Sequence, residues 1–371
     1  IGNSNWAIKE DNLLGYSTAG TRFLPQPITM TRASAGTRVN PQGLVETVEL
    51  LGSELVVNGD FSNGTTDWTV SNGTISIDND RLKIDGTNGA TAEQTVTAVI
   101  GKTYKVTYTF TLGTATSGAL IITGGNYPTL NAPQGTNTFY TTATQTNLRV
   151  RPRIGSDGTM FVDNVSVKES TKNDLARVDY DGTASSLLVE PQRTNSVTYS
   201  EDFSQSVWRK RTSDSTQVPV ITNNYAISPD GTQNASRVVV TKPATDNDYA
   251  VVDNYISVSK SVGDKFTNSI YVKANGSSQV GKEINLYAYD GNYLTMVTYA
   301  LTNSWARVDA VHTTTTPSGN MEILSVGKAR SSEGGVSLVN MATDFLLSFA
   351  QFEAGSYATS YIPTSGSTVT R

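Results

Sequence analysis

Thr103–Leu112, TYKVTYTFTL, decides the fold class: Tyr104, Val106, Tyr108, Phe110 and Leu112 fall on one side of an extended chain, and Lys105, Thr107, Thr109 and Thr111 on the other. Successive side chains of a strand point to opposite faces, so a period of two describes a sheet with one oily and one wet side. Working outward, Arg81–Asp85 and Asn147–Ile154 alternate in the same way. Asn63-Gly64, Asn72-Gly73 and Asn88-Gly89 read as hairpin turns between such strands. Gly52 to Glu169 is expected to be a β-sandwich.

The composition agrees. Of 371 residues, 37% are hydrophobic and only 16% charged, with 31 Gly and 17 Tyr, which suits many short strands and turns rather than helices. A net charge of -5 leaves no basic excess for neutralising phosphates, so nucleic acid is not an expected partner. The absence of cysteine removes disulfides, thiolate catalysis and cysteine-based zinc sites. No apolar run reaches the length of a membrane span. The chain begins at Ile1 rather than Met, so a natural N-terminus is expected to be missing or processed, and nothing follows about a signal peptide.

The plan repeats. Asp60-Phe61-Ser62 followed by Trp68 is echoed by Asp202-Phe203-Ser204 followed by Trp208, and Val165–Glu169 (VSVKE) by Phe349–Glu353 (FAQFE). Two copies of one β-sandwich topology, preceded by an extended arm, is the economical all-β reading. The expected organisation is an arm over residues 1–51, a first sandwich over 52–170, a linker over 171–193 and a second sandwich over 194–371. The arm's Pro25, Pro27 and Pro41 suit an extended segment lying on a neighbouring subunit.

Four segments carry a resemblance. Met30–Glu46 (MTRASAGTRVNPQGLVE), Arg177–Gly182 (RVDYDG), Ser186–Trp208 (SLLVEPQRTNSVTYSEDFSQSVW) and Ala350–Arg371 (AQFEAGSYATSYIPTSGSTVTR) resemble, in order, segments of bacteriophage tail-fibre and head-spike structural proteins. In that family only a few residues separate the first two, so the hundred-odd residues between them here read as an inserted domain. The ends of that insert, Leu55–Trp68 and Met160–Lys168, resemble jelly-roll carbohydrate-binding modules. The resemblance implies a virion protein exposed as a fibre or spike, commonly a homotrimer, with other virion proteins and host-surface polysaccharide as partners. It also implies one cofactor, a structural calcium at Asp163 in Val162-Asp163-Asn164-Val165, although the Glu that usually follows the "GF" is replaced here by Ser62 after Phe61.

No catalytic set is expected. The only histidine, His312, lies in a strand-like stretch with no nucleophile-elbow sequence to serve it, and Glu93, Glu190, Glu201, Glu283, Glu322 and Glu353 show no spacing that pairs two acids across a cleft. Binding residues are more legible. In Lys282–Asp290, Glu283, Asn285, Tyr287 and Tyr289 share a face opposite Ile284, Leu286 and Ala288, and nearby Tyr271 and Lys273 lie opposite Ile270 and Val272. Rings beside hydrogen-bonding groups suit a sugar, whose C–H face stacks while its hydroxyls find polar partners; the same pattern suits a subunit interface or plain strand residues. Arg149, Arg151 and Arg153 form a row that either grips an acidic glycan or is a salt-bridged strand face.

Three functions follow. The first is a non-enzymatic virion fibre, spike or decoration protein that adheres to host glycans. The second is a secreted bacterial carbohydrate-binding protein or an accessory module of a glycan-degrading enzyme. The third is a decoration protein whose Tyr287 and Tyr289 are buried between chains.

Overall fold

The computed structural model describes residues 36–126, 134–171, 175, 177–181, 184–213, 217–317 and 319–371, together with the backbone of two short paired strands, Ile8–Lys9 and Asn12–Leu13. The remainder of the expected arm lies outside the described residues. The chain forms two compact units, 49–172 and 1–48 with 173–371. Both are antiparallel β-sandwiches, and no helix among the described residues is long and apolar enough to cross a membrane.

In unit 49–172 the strands run in the order Gly135–Thr142, Thr103–Leu112, Gly158–Thr171, Arg81–Thr97, Asn147–Ile154, Gly118–Thr123. The long strand Arg81–Thr97 folds this sheet over its own core. Its first half pairs with Gly158–Val162, while its second half pairs with Asn147–Arg153. The bend sits where Gly73 and Gly86 pair in register, and a Cβ on Gly86 would stand 2.7 Å from that of Ala90. Asn72-Gly73 and Asn88-Gly89 therefore lie inside strands, not at hairpin turns as expected. The hairpin turn is Asn79-Asp80, with φ of 52° and 58°, the left-handed pair that a two-residue turn demands. The apolar face of Thr103–Leu112 is inside, beside Leu82, Ile84, Leu148, Val150 and Met160.

The other unit stacks two five-stranded sheets. One runs Trp208–Thr212, Ala250–Ser257, Asn320–Lys328, Glu283–Tyr289, Leu294–Ala300; the other runs Val220–Ala226, Ala235–Val239, Asp344–Ala354, Lys265–Ala274, Ala306–Thr313. Phe266, Ile270, Ile284, Leu286, Ile323 and Phe352 fill the space between them.

Each sandwich opens with the same device. Asp60 and Asp202 accept from the backbone N–H and hydroxyl of Ser62 and Ser204. Phe61–Trp68 and Phe203–Trp208 pack at centroid distances of 5.4 and 4.6 Å, and each indole N–H donates to a backbone carbonyl, of Asn58 and Tyr199 respectively.

The described parts of the four segments that resemble fibre proteins converge on this second sandwich. Arg177 and Arg371 both pair with Glu190, at 2.9 and 3.0 Å, with all three side chains at most 10% exposed. Ser360 N–H and Oγ–H donate to the same carboxylate, and Arg177 donates to Thr37 O. Burial alone raises the Glu190 pKa, but these donors and guanidinium groups hold it below the ordinary carboxylate value. Val45, in the hairpin of Thr37–Val39 with Val45–Thr47, packs on Phe349 and Tyr361. So residues 36–48, 177–181 and 184–193, expected as arm and linker, close over the sandwich of their own chain. The apolar groups and the buried ion triad leave them no reason to stand apart.

Candidate functional site

The expected aromatic patch is split. Tyr271 and Lys273 belong to the strand Lys265–Ala274, whereas Glu283, Asn285, Tyr287 and Tyr289 belong to the opposite sheet, so the two groups face away from each other across the sandwich. Alternation assigned each side chain to the correct side of its own strand, but a loop carries the chain from one sheet to the other between them. Tyr271 is also covered, packing edge-on against Phe349 at 5.7 Å beside Val45 and Tyr361, with the guanidinium of Arg307 at 5.8 Å from its ring. Lys273 is half-buried.

On the other sheet the outward residues form three rows set by strand register. Tyr255, Glu322, Tyr289 and Leu294 lie across from one another. Arg209 and Asp253 form the next row with Ser325, Tyr287 and Met296, and Arg211, Val251, Gly327, Asn285 and Thr298 form the third. Tyr287 and Asn285, expected at the surface, are buried. Tyr287 packs against Val251, Leu294 and Met296, and burial pushes its hydroxyl pKa up. Asn285 accepts from Ala329 N–H and Val336 N–H and donates to Thr298 Oγ, fixing the loop that follows Lys328. Glu283 and Tyr289 stay half-buried, with the Tyr289 hydroxyl donating to Gly291 O.

The charged centre of this face was not expected. Asp253, with no exposed surface, accepts from Arg209 Nε and Nη2 at 3.0 and 2.7 Å and from Arg211 Nε at 2.8 Å; Arg211 also reaches Glu322 at 2.6 Å. Burial raises the Asp253 pKa against the pull of both arginines, and Arg211 is held above its ordinary value because Asp253 and Glu322 outweigh the effect of burial. Tyrosines frame the charges. The Arg209 guanidinium lies 4.4 Å from the ring of Tyr255, and those of Arg211 and Arg330 lie 5.7 and 4.7 Å from Tyr249. Tyr255 and Tyr293 are 49% and 54% exposed. The sequence signal for this face is slight: Arg209 and Arg211 share a face of their strand, as Asp253 and Tyr255 do of theirs, but nothing local brings the two pairs together.

Tyr293 is placed by the turn it ends. Asp290 accepts from the N–H groups of Asn292, Tyr293, Thr315 and Thr316. Burial works to raise the Asp290 pKa, and these donors overcome it, holding the carboxyl far below the carboxylate range. His312 completes this corner. Its Nδ1 is 3.0 Å from Thr295 Oγ and its Nε2 3.5 Å from Asp290, and burial lowers its pKa.

In the first sandwich, Arg149 grips Glu93 at 2.7 and 2.6 Å and Arg151 reaches it at 3.0 Å, while Arg153 is exposed beside Gly89. One carboxylate thus takes up two of the three guanidinium groups. The Asp163 carboxylate accepts from the N–H and amide of Asn164. Among the described residues no three or more His, Cys, Asp or Glu are grouped so as to hold a metal ion.

No family model matches the chain, and no curated protein matches it. Among solved structures it is similar to the N-terminal CBM22 tandem of Paenibacillus barcinonensis Xyn10C, at 12% identity and a TM-score of 0.33, covering 82% of this chain and 98% of that one. It is similar to the tandem CBM51 modules of Sp3GH98, the family 98 glycoside hydrolase of Streptococcus pneumoniae SP3-BS71, at 12% identity and a TM-score of 0.25, covering 82% and 97%. A CBM4 structure matches 31% of this chain and 99% of its own, at 17% identity and a TM-score of 0.26. At these scores the likeness carries no argument about a ligand. None of the three is described as a phage protein, so the fibre resemblance stands on its four sequence segments alone.

Proposed function

We propose that this chain is a non-catalytic glycan-binding protein whose second sandwich takes a polysaccharide across the face of Tyr255, Arg209, Arg211 and Glu322. The observation that carries the reading is the placing of exposed tyrosine rings beside a charge-balanced set of guanidinium and carboxylate groups on a rigid sheet. Such a face gives a sugar ring a surface to stack on, with fixed donors and acceptors at its edge. Because Arg209 and Arg211 are already matched by Asp253 and Glu322, the face favours neutral sugars over acidic ones. The buried triad of Arg177, Glu190 and Arg371 and the side chain of His312 have structural partners that explain them without invoking catalysis.

The test is affinity electrophoresis through gels containing xylan, mixed-linkage β-glucan or bacterial capsular polysaccharide. The expected result is retardation by at least one polymer, weakened about tenfold in Tyr255→Ala, the loss of one stacked ring. Retardation by none, or undiminished retardation of Tyr255→Ala, would sink the proposal.

A second reading concerns where the chain works. The fibre-like segments favour display on a bacteriophage particle as a homotrimer, with other virion proteins as partners. Antibody labelling of intact particles tests it, and particles that never bind the antibody count against it.

A further inference from the structure

The first sandwich carries a depression of about 320 Å³, lined by Leu55 and Val57, by Asp67 and Thr69, and by Glu93 and Thr95. This is at the small end of the roughly 300–1,000 Å³ usual for small-molecule sites. Its walls are fixed. The buried amide of Gln94 accepts from Val57 N–H at 2.8 Å and donates to Val57 O at 2.8 Å and Asp67 O at 3.3 Å, joining the two segments that form opposite linings. Asp67 is held there at φ 68°, a backbone state that a non-glycine residue adopts only when its surroundings impose it.

The chemistry of the lining is equally specific. Glu93 already carries Arg149 and Arg151, so the charge at that end is taken up. Asp67, by contrast, is exposed, and among the described residues its carboxylate takes no hydrogen bond or ion pair. Leu55 and Val57 offer a small apolar surface beside it, and the Thr95 hydroxyl is exposed. A free acceptor, a hydroxyl and an apolar patch around a space for one ring match the two faces of a pyranose. A phosphate or carboxylate would meet the charge of Asp67, and a flat apolar ligand would leave Asp67 without a donor.

We propose that this depression is a second carbohydrate site, taking a single neutral sugar residue such as a chain end. It lies on a different unit from the tyrosine-framed face and is tested separately from it.

The experiment is saturation-transfer NMR on the full chain, with the methyl glycosides of xylose, glucose, galactose and N-acetylglucosamine as probes. At least one probe is expected to receive saturation from the wild type and from Tyr255→Ala. Asp67→Gly removes the carboxylate while keeping a residue at ease at this φ, and is expected to bind that probe at least tenfold more weakly. Thr95→Gln, which fills the space and leaves Asp67 alone, is expected to do the same. The proposal is overturned if no probe receives saturation from the wild type, if both variants bind as the wild type does, or if Tyr255→Ala alone abolishes the signal. The last outcome would leave the tyrosine-framed face standing as the only site.

Discussion

The two sandwiches begin identically and finish differently. Both set an Asp-Phe-Ser turn over a core Trp, yet the outer face of the first carries a row of three arginines, two of them gathered by one glutamate, and that of the second interleaves two arginines, two acids and several tyrosines. The difference teaches where each kind of information sits. The entry device is spent on the core and is nearly the same in both units. What distinguishes them is carried by every second residue of a few strands, where packing does not dictate the choice.

The largest effect that would break this comparison is loss of the shared device. Trp68→Ala and Trp208→Ala should each cost about 3–5 kcal/mol, the usual range for emptying a buried indole site. If each core is its own cooperative unit, hydrogen exchange read by mass spectrometry should speed up around Leu82–Gly86 in the first variant and around Phe345–Phe352 in the second. Acceleration in both places from either variant would mean the repeats are not energetically separate.

A smaller effect sharpens the comparison, because only the second sandwich is closed by its own flanking segments. Glu190→Gln keeps the shape but leaves Arg177 and Arg371 without their shared carboxylate, and should cost roughly 1.5–3 kcal/mol, the worth of a hydrogen bond to a charged group. A urea titration at pH 7 checks it. The depressed Glu190 pKa places this contribution at pH values above the unfolded carboxylate value, so it should fade as the solution is acidified below about 4.5. An unchanged midpoint at pH 7 would mean the triad closes nothing.

The fold class was legible because alternation is local: Thr103–Leu112 and Asn147–Ile154 turned out to have the faces their residues dictate. Face assignment within Glu283–Tyr289 was equally sound. What alternation omits is which strands share a sheet and what lies over an outward face. Tyr271 and Tyr287 look alike in sequence, but they lie on opposite sheets, one under Val45 and the other against Met296. Asn63-Gly64 does lie in a turn between strands, but Asn72-Gly73 and Asn88-Gly89 misled for a related reason: a left-handed residue serves a bend inside two paired strands as well as it serves a hairpin, and Asn72 and Gly89 have such φ values within strands. Asp253 was invisible because its meaning depends on Arg209 and Arg211, over forty residues away, arriving on the neighbouring strand.

The smallest effect concerns the corner where the closing segments meet the second sandwich. Glu201 accepts from the Tyr361 hydroxyl at 2.8 Å and from the Asn234 amide, and burial, with Asp230 nearby, pushes its pKa up to about 7. Its sign is opposite to that of Glu190. In the unfolded chain the carboxyl ionises near 4.5, whereas in the folded chain it keeps its proton to about 7, so its contribution is complete below 4.5 and is lost as pH rises between these values. Discounted for partial exposure, the loss should be on the order of 1–2 kcal/mol. Glu201→Gln, which stays neutral throughout, should remove it. Urea midpoints for wild type and variant at pH 4.5 and 7.5 measure the difference, since acid groups elsewhere contribute equally to both. A variant that loses as much stability over that interval as the wild type would show that Glu201 ionises at an ordinary pH, and that the second sandwich is closed by the Glu190 triad without a second titrating contact.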